Sequence, residues 1–258
     1  MKLIIEDRKL NHIPVLDVYD PALAKTAPIL IMLHGFTSCK EFRLKEALYF
    51  ARRGFFVTLF DAYQHGELQT QEFRDLPRLE KMAEGNLILD ETATYLDQII
   101  VRHTQTQTAD ANKIGLIGFS MGGNIIFRYL SRQRRPNLKA AVTVISTPKP
   151  GESFQKVFQN HPEAAKYPDL FKNLCHAENK SFQELLQQGD FPLLMLNGVN
   201  DPQILIDITR QCYNEMKQNY RDPEKIKFIE YPGVEHQITV EMISEACKWF
   251  ERLIHINS

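Results

Sequence analysis

Residues 114–123 read Ile114-Gly-Leu-Ile-Gly-Phe-Ser-Met-Gly-Gly123, and this stretch decides how the rest of the chain is read. Ile114–Ile117 is a short apolar run of strand type, and Met121–Arg132 has apolar residues at helical spacing. Between them Gly118-Phe119-Ser120-Met121-Gly122 fits G-x-S-x-G in the strand–turn–helix context that gives the pattern meaning. A serine in that position sits on a sharp turn, and the flanking glycines leave room for the chain to double back. Its side chain then projects above a sheet, and the N–H of Met121 at the helix start points to where an oxyanion would form.

Working outward, strand-like runs alternate with helical patterns. Residues 2–5 and 13–18 are expected to open the fold as an antiparallel pair. Ile29–Leu33, Phe55–Phe60, Ile114–Ile117, Ala140–Ile145, Leu193–Leu196 and Ile226–Glu230 follow, the inner ones apolar almost throughout, as strands covered on both faces must be. Between them lie helical stretches at Lys40–Arg53, with Phe42, Ala47 and Phe50 on one side and Gly54 as its stop. Others are Leu87–His103, Met121–Arg132, Ile204–Tyr220 and Val240–Ile254. This alternation implies an α/β fold: a mostly parallel central sheet flanked by helices. One such domain is expected over residues 1–258. Residues 149–190 break the rhythm with Phe154, Val157, Phe158, Tyr167, Phe171 and other apolar residues at helical intervals. They are expected to form a small helical cap over the strand ends, lining an apolar acyl pocket.

A serine hydroxyl needs a base to become a nucleophile, and the base needs an orienting acid. In this kind of site the partners follow in chain order, serine, acid, histidine. Asp201 stands in Asn200-Asp-Pro202, just after the strand Leu193–Leu196, where open α/β sheets place their sites. His236, in Tyr231-Pro-Gly-Val-Glu-His236, has the required order and a loop after a strand. The expected roles are Ser120 as nucleophile, His236 as general base and then acid, and Asp201 as its orienting partner. A second oxyanion donor is expected from the loop His34-Gly-Phe-Thr-Ser38, at the Phe36 N–H, with His34 bracing the loop. In Asp61-Ala-Tyr-Gln-His-Gly66, Asp61 and His65 read as loop-shaping, and Tyr63 or His65 as candidate substrate contacts. Phe158 and Phe171 are the candidate contacts from the cap. The sequence has no HExxH, no histidine pair at i and i+4 and no phosphate-binding glycine loop, so neither metal nor cofactor is expected.

Together HGFTS, the DxxxHG loop, GFSMGG, GxxDP and GVEHQIT resemble the α/β-hydrolase superfamily. More narrowly, they are similar to small bacterial serine carboxylesterases of the dienelactone-hydrolase and prolyl-oligopeptidase-like branch, of the YjfP or YitV type. The opening IPVLDVY and the closing GVEHQITVEMISEACKWFERLI extend the resemblance over nearly the whole chain. It implies a triad at Ser120, Asp201 and His236, an oxyanion hole at Phe36 and Met121, and hydrolysis of esters with short to medium acyl chains. Dienelactone hydrolases proper use a cysteine nucleophile, so Ser120 departs from that reaction. Relatives labelled prolyl oligopeptidase carry a propeller for which 258 residues leave no room. The same triad could serve a thioesterase or a small-amide or peptide hydrolase, and the fold also hosts non-catalytic binding modules, which commonly lack a triad member.

Composition narrows the partners. Thirty-one basic against 32 acidic side chains leave a net charge of −1, which gives no steering toward nucleic acid. Arg132, Arg134 and Arg135 read as a solvated helix end. MKLIIEDRKL has charges inside its only apolar stretch and does not read as a secretory leader. No 18-residue apolar run spans a membrane. Four scattered cysteines, with no CxxC pair, fit reduced thiols in a cytoplasm. The expected partner is a small-molecule ester.

Overall fold

Every second residue of a strand turns to the same face, so a run such as Ile29–Leu33 can be apolar throughout only if both faces are covered. The computed structural model has that arrangement. It describes residues 2–106, 108–132, 134–158, 162, 167 and 169–254, the side chains of Leu170 and Phe171 excepted. Among these residues one sheet of eight strands forms: β1 (Ile4–Leu10), β2 (Ile13–Tyr19), β3 (Pro28–Leu33), β4 (Phe56–Phe60), β5 (Asp110–Phe119), β6 (Leu138–Val144), β7 (Leu193–Gly198) and β8 (Ile226–Tyr231). Their order is β1-β2-β4-β3-β5-β6-β7-β8. β1 pairs antiparallel with β2, and β2 with β4, while every later pairing is parallel.

Helices α1 (Leu44–Ala51), α2 (Gln71–Asp75), α3 (Arg78–Ala83), α4 (Gly85–Thr106), α5 (Met121–Arg132), α6 (Pro150–Phe158), α7 (Leu170–Gln187), α8 (Ile206–Gln218) and α9 (Val240–Ile254) form the connections. On one face of the sheet Ile29, Ile31 and Leu33 pack with Ile88 and Leu96 of α4, Ile125 and Ile126 of α5, and Ile208 of α8. On the other face Leu30 and Met32 pack with Ala47 and Phe50 of α1 and Met242, Ala246 and Phe250 of α9. Each fully buried aliphatic side chain contributes about 1.5–3 kcal/mol, so the two layers supply most of the folding drive.

Several expectations shift. The first strand is Ile4–Leu10 rather than 2–5, because its pairing with β2 extends to Leu10↔Ile13 around a tight turn at Asn11 (φ 58°). The helix expected from Lys40 opens as a 3-10 turn over Lys40–Arg43, and Phe42, expected on its buried side, is 70% exposed. The tighter winding of that turn rotates Phe42 away from the stripe that Ala47 and Phe50 keep. Ile145 has left β6 at φ 47°. Helices α2 and α3 were not expected, since Gln71–Ala83 is mostly polar with Pro77 inside it. Arginines at and beyond the end of α5 are held by carboxylates of α4: Arg132 meets Asp90 at 2.5 Å and Arg135 grips both oxygens of Asp97 at 2.6 Å. α6 and α7 occupy the 149–190 segment between β6 and β7.

Candidate active site

The elbow begins with a backbone that only tight sterics can hold. β5 ends at Phe119, α5 starts at Met121, and Ser120 between them takes φ +53°, the left-handed region. That conformation costs a non-glycine residue about 1–2 kcal/mol. It is fixed by the Ser120 N–H donating to the Val144 carbonyl at 2.8 Å. The neighbouring glycines follow from close approach. A Cβ on Gly118 would overlap the Gly122 carbonyl, and one on Gly122 would overlap the Leu33 carbonyl at the end of β3. Strand, turn and helix therefore fold back on each other at a spacing that glycine alone permits.

β7 and β8 deliver the other two side chains from the same edge of the sheet. After β7, Asp201 is buried, and its Oδ1 accepts the N–H groups of Gln203 and Ile204 at 2.8 and 2.9 Å. After β8, His236 is stitched to that loop through the backbone. The Val199 N–H donates to Tyr231 O, the Asn200 N–H to Val234 O, and the Gly233 N–H to Asn200 Oδ1, at 2.9–3.0 Å. His236 Nδ1 lies 2.7 Å from Asp201 Oδ2. A carboxylate only accepts, so Nδ1 carries the proton and Nε2 is left with its lone pair. That lone pair faces Ser120 Oγ at 3.0 Å. Three side chains separated by 81 and 35 residues in sequence, on loops after three strands, thus form one hydrogen-bonded chain.

An apolar cavity opens beside Ser120 and His236, lined by Phe36, Met82, Ile88, Leu89, Met121, Phe154 and Leu174, with Arg78, Asn124, Glu178 and Gln203 as polar groups. Met121 opens α5, so its N–H lies outside the helix's own hydrogen-bond ladder. Phe36 borders the same space. Glu178 of α7 accepts from the N–H groups of Gly151 and Glu152 at the start of α6, tying the two inserted helices together. Burial pushes its carboxyl up to about 8, outweighing those two donors.

Behind Phe36 the loop is braced as the sequence implied. His34 is buried, donates from Nδ1 to Gly35 O at 2.8 Å and accepts the Ala62 N–H on Nε2 at 3.0 Å. Burial lowers its pKa to about 4, which suits a neutral ring with one donor and one acceptor both used. His65 is buried with its ring 5.5 Å from that of Phe36, so it supports the loop from behind and does not reach the cavity wall. Tyr63 does not line that cavity either, its ring lying edge-on to Tyr95 at 6.4 Å. Of the residues expected from the cap, Phe158 packs with Leu174 and Tyr167, one turn past Phe154, which takes the lining position. The side chain of Phe171, in α7, lies outside what the structure describes. Sequence reading missed Arg78 and Met82, which stand in a short, mostly polar stretch that carries no periodic signal. Among the described residues no group of three or more His, Cys, Asp or Glu is arranged to hold a metal, and no helix is long and apolar enough to cross a membrane.

The model of the α/β-hydrolase fold family matches residues 28–229, well over half of the chain. This protein belongs to that family. Within the α/β hydrolases it is 30% identical to YitV of Bacillus subtilis (strain 168), provisionally named an esterase, over 96% of this chain and 98% of that one. It is 27% identical to the esterase YjfP of Escherichia coli (strain K12), again over 96% and 98%. Among solved structures, TT1662 from Thermus thermophilus superposes over the full length of both chains with a TM-score of 0.77 at 18% identity, a likeness of fold. The α/β-hydrolase fold expected from the sequence is the fold observed, and the chain is an esterase-like member of it.

Proposed function

We propose that this α/β hydrolase is a serine carboxylesterase that cleaves esters of short to medium acyl chains through an acyl-enzyme on Ser120. One observation carries the reading: the unbroken chain from Ser120 Oγ to His236 to Asp201 at 3.0 and 2.7 Å. In the proposed reaction Ser120 Oγ attacks the ester carbonyl carbon and His236 Nε2 takes the hydroxyl proton. The resulting oxyanion is met by the N–H groups of Phe36 and Met121, each such donor contributing about 3–4 kcal/mol. The C–O bond to the alcohol breaks, and the alcohol leaves with the proton from His236. Water, deprotonated by the same histidine, then hydrolyses the acyl-enzyme. Asp201 orients the imidazole and stabilises its cation. The cavity between α3, α4, α6 and α7 takes the acyl chain, with the 149–190 helices as its cap.

The test is intact-mass analysis after incubation with a fluorophosphonate, on wild type and Ser120→Ala. One adduct that disappears in the variant supports the reading. Labelling that survives the substitution overturns the choice of nucleophile, and an unlabelled wild type overturns the activated serine. Hydrolysis of matched butyryl ester, thioester and anilide substrates then separates a carboxylesterase from a thioesterase or amidase.

A further inference from the structure

The DxxxHG stretch and the residues after HGFTS enclose a charge cluster that the proposed chemistry does not use. The Lys40 side chain is fully buried. Its ammonium bonds Asp61 Oδ2 at 3.2 Å, Glu41 Oε1 at 2.8 Å and Glu67. Asp61 is equally buried, and its Oδ1 accepts the backbone N–H of Lys40 at 2.8 Å while its Oδ2 accepts that of Glu67 at 3.1 Å. One carboxylate at the end of β4 thus takes both the main chain and the side chain of the residue that closes the β3 loop. Burial pulls the ammonium down, but the bonds to Glu41, Glu67 and Asp61 outweigh it and hold Lys40 charged.

That loop needs an anchor. Thr37, next to Phe36, takes φ +58°, and the turn is closed by the Ser38 N–H on Gly35 O at a long 3.3 Å. Its upstream end is pinned by His34. Its downstream end is pinned by Lys40, four residues from Phe36. We infer that Lys40 and Asp61 are positioning residues, a buried ion pair that holds the Phe36 N–H where the oxyanion forms. The inference rests on the proposed role of Phe36. A pair with this role acts on the transition state, because ester in the ground state does not need the donor at its final station.

Lys40→Met tests it, alongside Lys40→Arg and wild type, with folding checked by circular dichroism and Ser120 by fluorophosphonate labelling. The expected result for Lys40→Met is a kcat lower by about 10²-fold, the usual cost of a small misplacement. KM should stay within about twofold, and affinity for a trifluoromethyl ketone, whose hemiketal oxyanion needs the same donor, should fall in step with kcat. Lys40→Arg should recover most of both. Unchanged kcat in folded Lys40→Met, or a loss of kcat that leaves ketone affinity intact, overturns the inference. If Lys40→Met does not fold, Lys40→Gln, which removes the charge of the ion pair but leaves a polar group beside Asp61, is read in the same way. A wild type that neither labels nor cleaves esters removes the esterase reading and this inference with it. A wild type that does both while the variants match it removes the inference alone.

Discussion

The α-carbon of Gly66 lies so close to the Asp61 carboxylate that no Cβ fits between them. The glycine is also at φ +53°. The final letter of the DxxxHG stretch is therefore dictated by its first. Gly66→Ala should destabilise the fold by about 3 kcal/mol, combining left-handed strain with displacement of a buried carboxylate. Urea unfolding with an unchanged m-value would show it, and a loss below about 1 kcal/mol would mean that the carboxylate yields easily.

Asp201→Asn retains two oxygen-side contacts with Gln203 and Ile204 but can turn an amide toward His236 Nδ1. The imidazole then holds its proton on Nε2, facing Ser120. On the proposed mechanism kcat should fall by about 10³–10⁴-fold with little change in melting temperature. Steady-state kinetics on a butyryl ester would measure it.

His103 is buried beneath β4, with Nε2 3.0 Å from Thr58 Oγ1, which in turn donates to Asp17. Burial lowers its pKa from 6.5 to about 4, and His34 and His65 share that direction and value. Between these limits the unfolded chain binds protons that the folded chain refuses, so acidification removes stability. Above pH 6.5 these groups cost nothing. Each removes up to about 1.4 kcal/mol per pH unit below it, until the folded form also titrates. Unfolding free energies measured from pH 7.5 to 4.5 should fall steeply, and His103→Gln should reduce the slope by about one proton. An unchanged slope would mean that His103 is already charged in the folded state.

Leu174 of α7 is buried at the cavity wall and packs against Phe154. Leu174→Ala should lengthen the acyl pocket, moving the preferred ester from about four acyl carbons toward six or eight, at a stability cost of about 2–3 kcal/mol. A p-nitrophenyl ester series reads the preference. An unmoved optimum would place the acyl chain elsewhere.

The turns that carry Ser120, Asp201 and His236 were legible because their chemistry is local. Gly118 and Gly122 announce a turn that side chains would block, Asp201 follows the apolar run of β7, and His236 follows β8, a strand with Lys227 and Glu230 in it. What could not be read was the cavity wall. Helix α3 contributes Arg78 and Met82 from a stretch whose apolar residues are too few to show a period. Phe154 rather than Phe158 faces the cavity because the axial rotation of α6 is set by the Glu178 bonds to its first turn, a contact 26 or 27 residues distant. Phe42 looked buried because a helical wheel assumes α geometry, and the chain there winds as a 3-10 turn.

The backbone bonds that stitch the loop after β7 to the loop after β8 have a mechanical consequence. Asp201 and His236 ride on one clamped piece, whereas Ser120 belongs to the β5–α5 turn and is moored to β6 through Val144. Breathing of the sheet edge would therefore fall first on the gap between hydroxyl and imidazole. The 2.7 Å bond lies within the clamped piece, and the 3.0 Å one bridges the two pieces. On the proposed mechanism, substitutions that loosen β6 against β7 should lengthen the contact between Ser120 and His236 before they disturb the contact between His236 and Asp201.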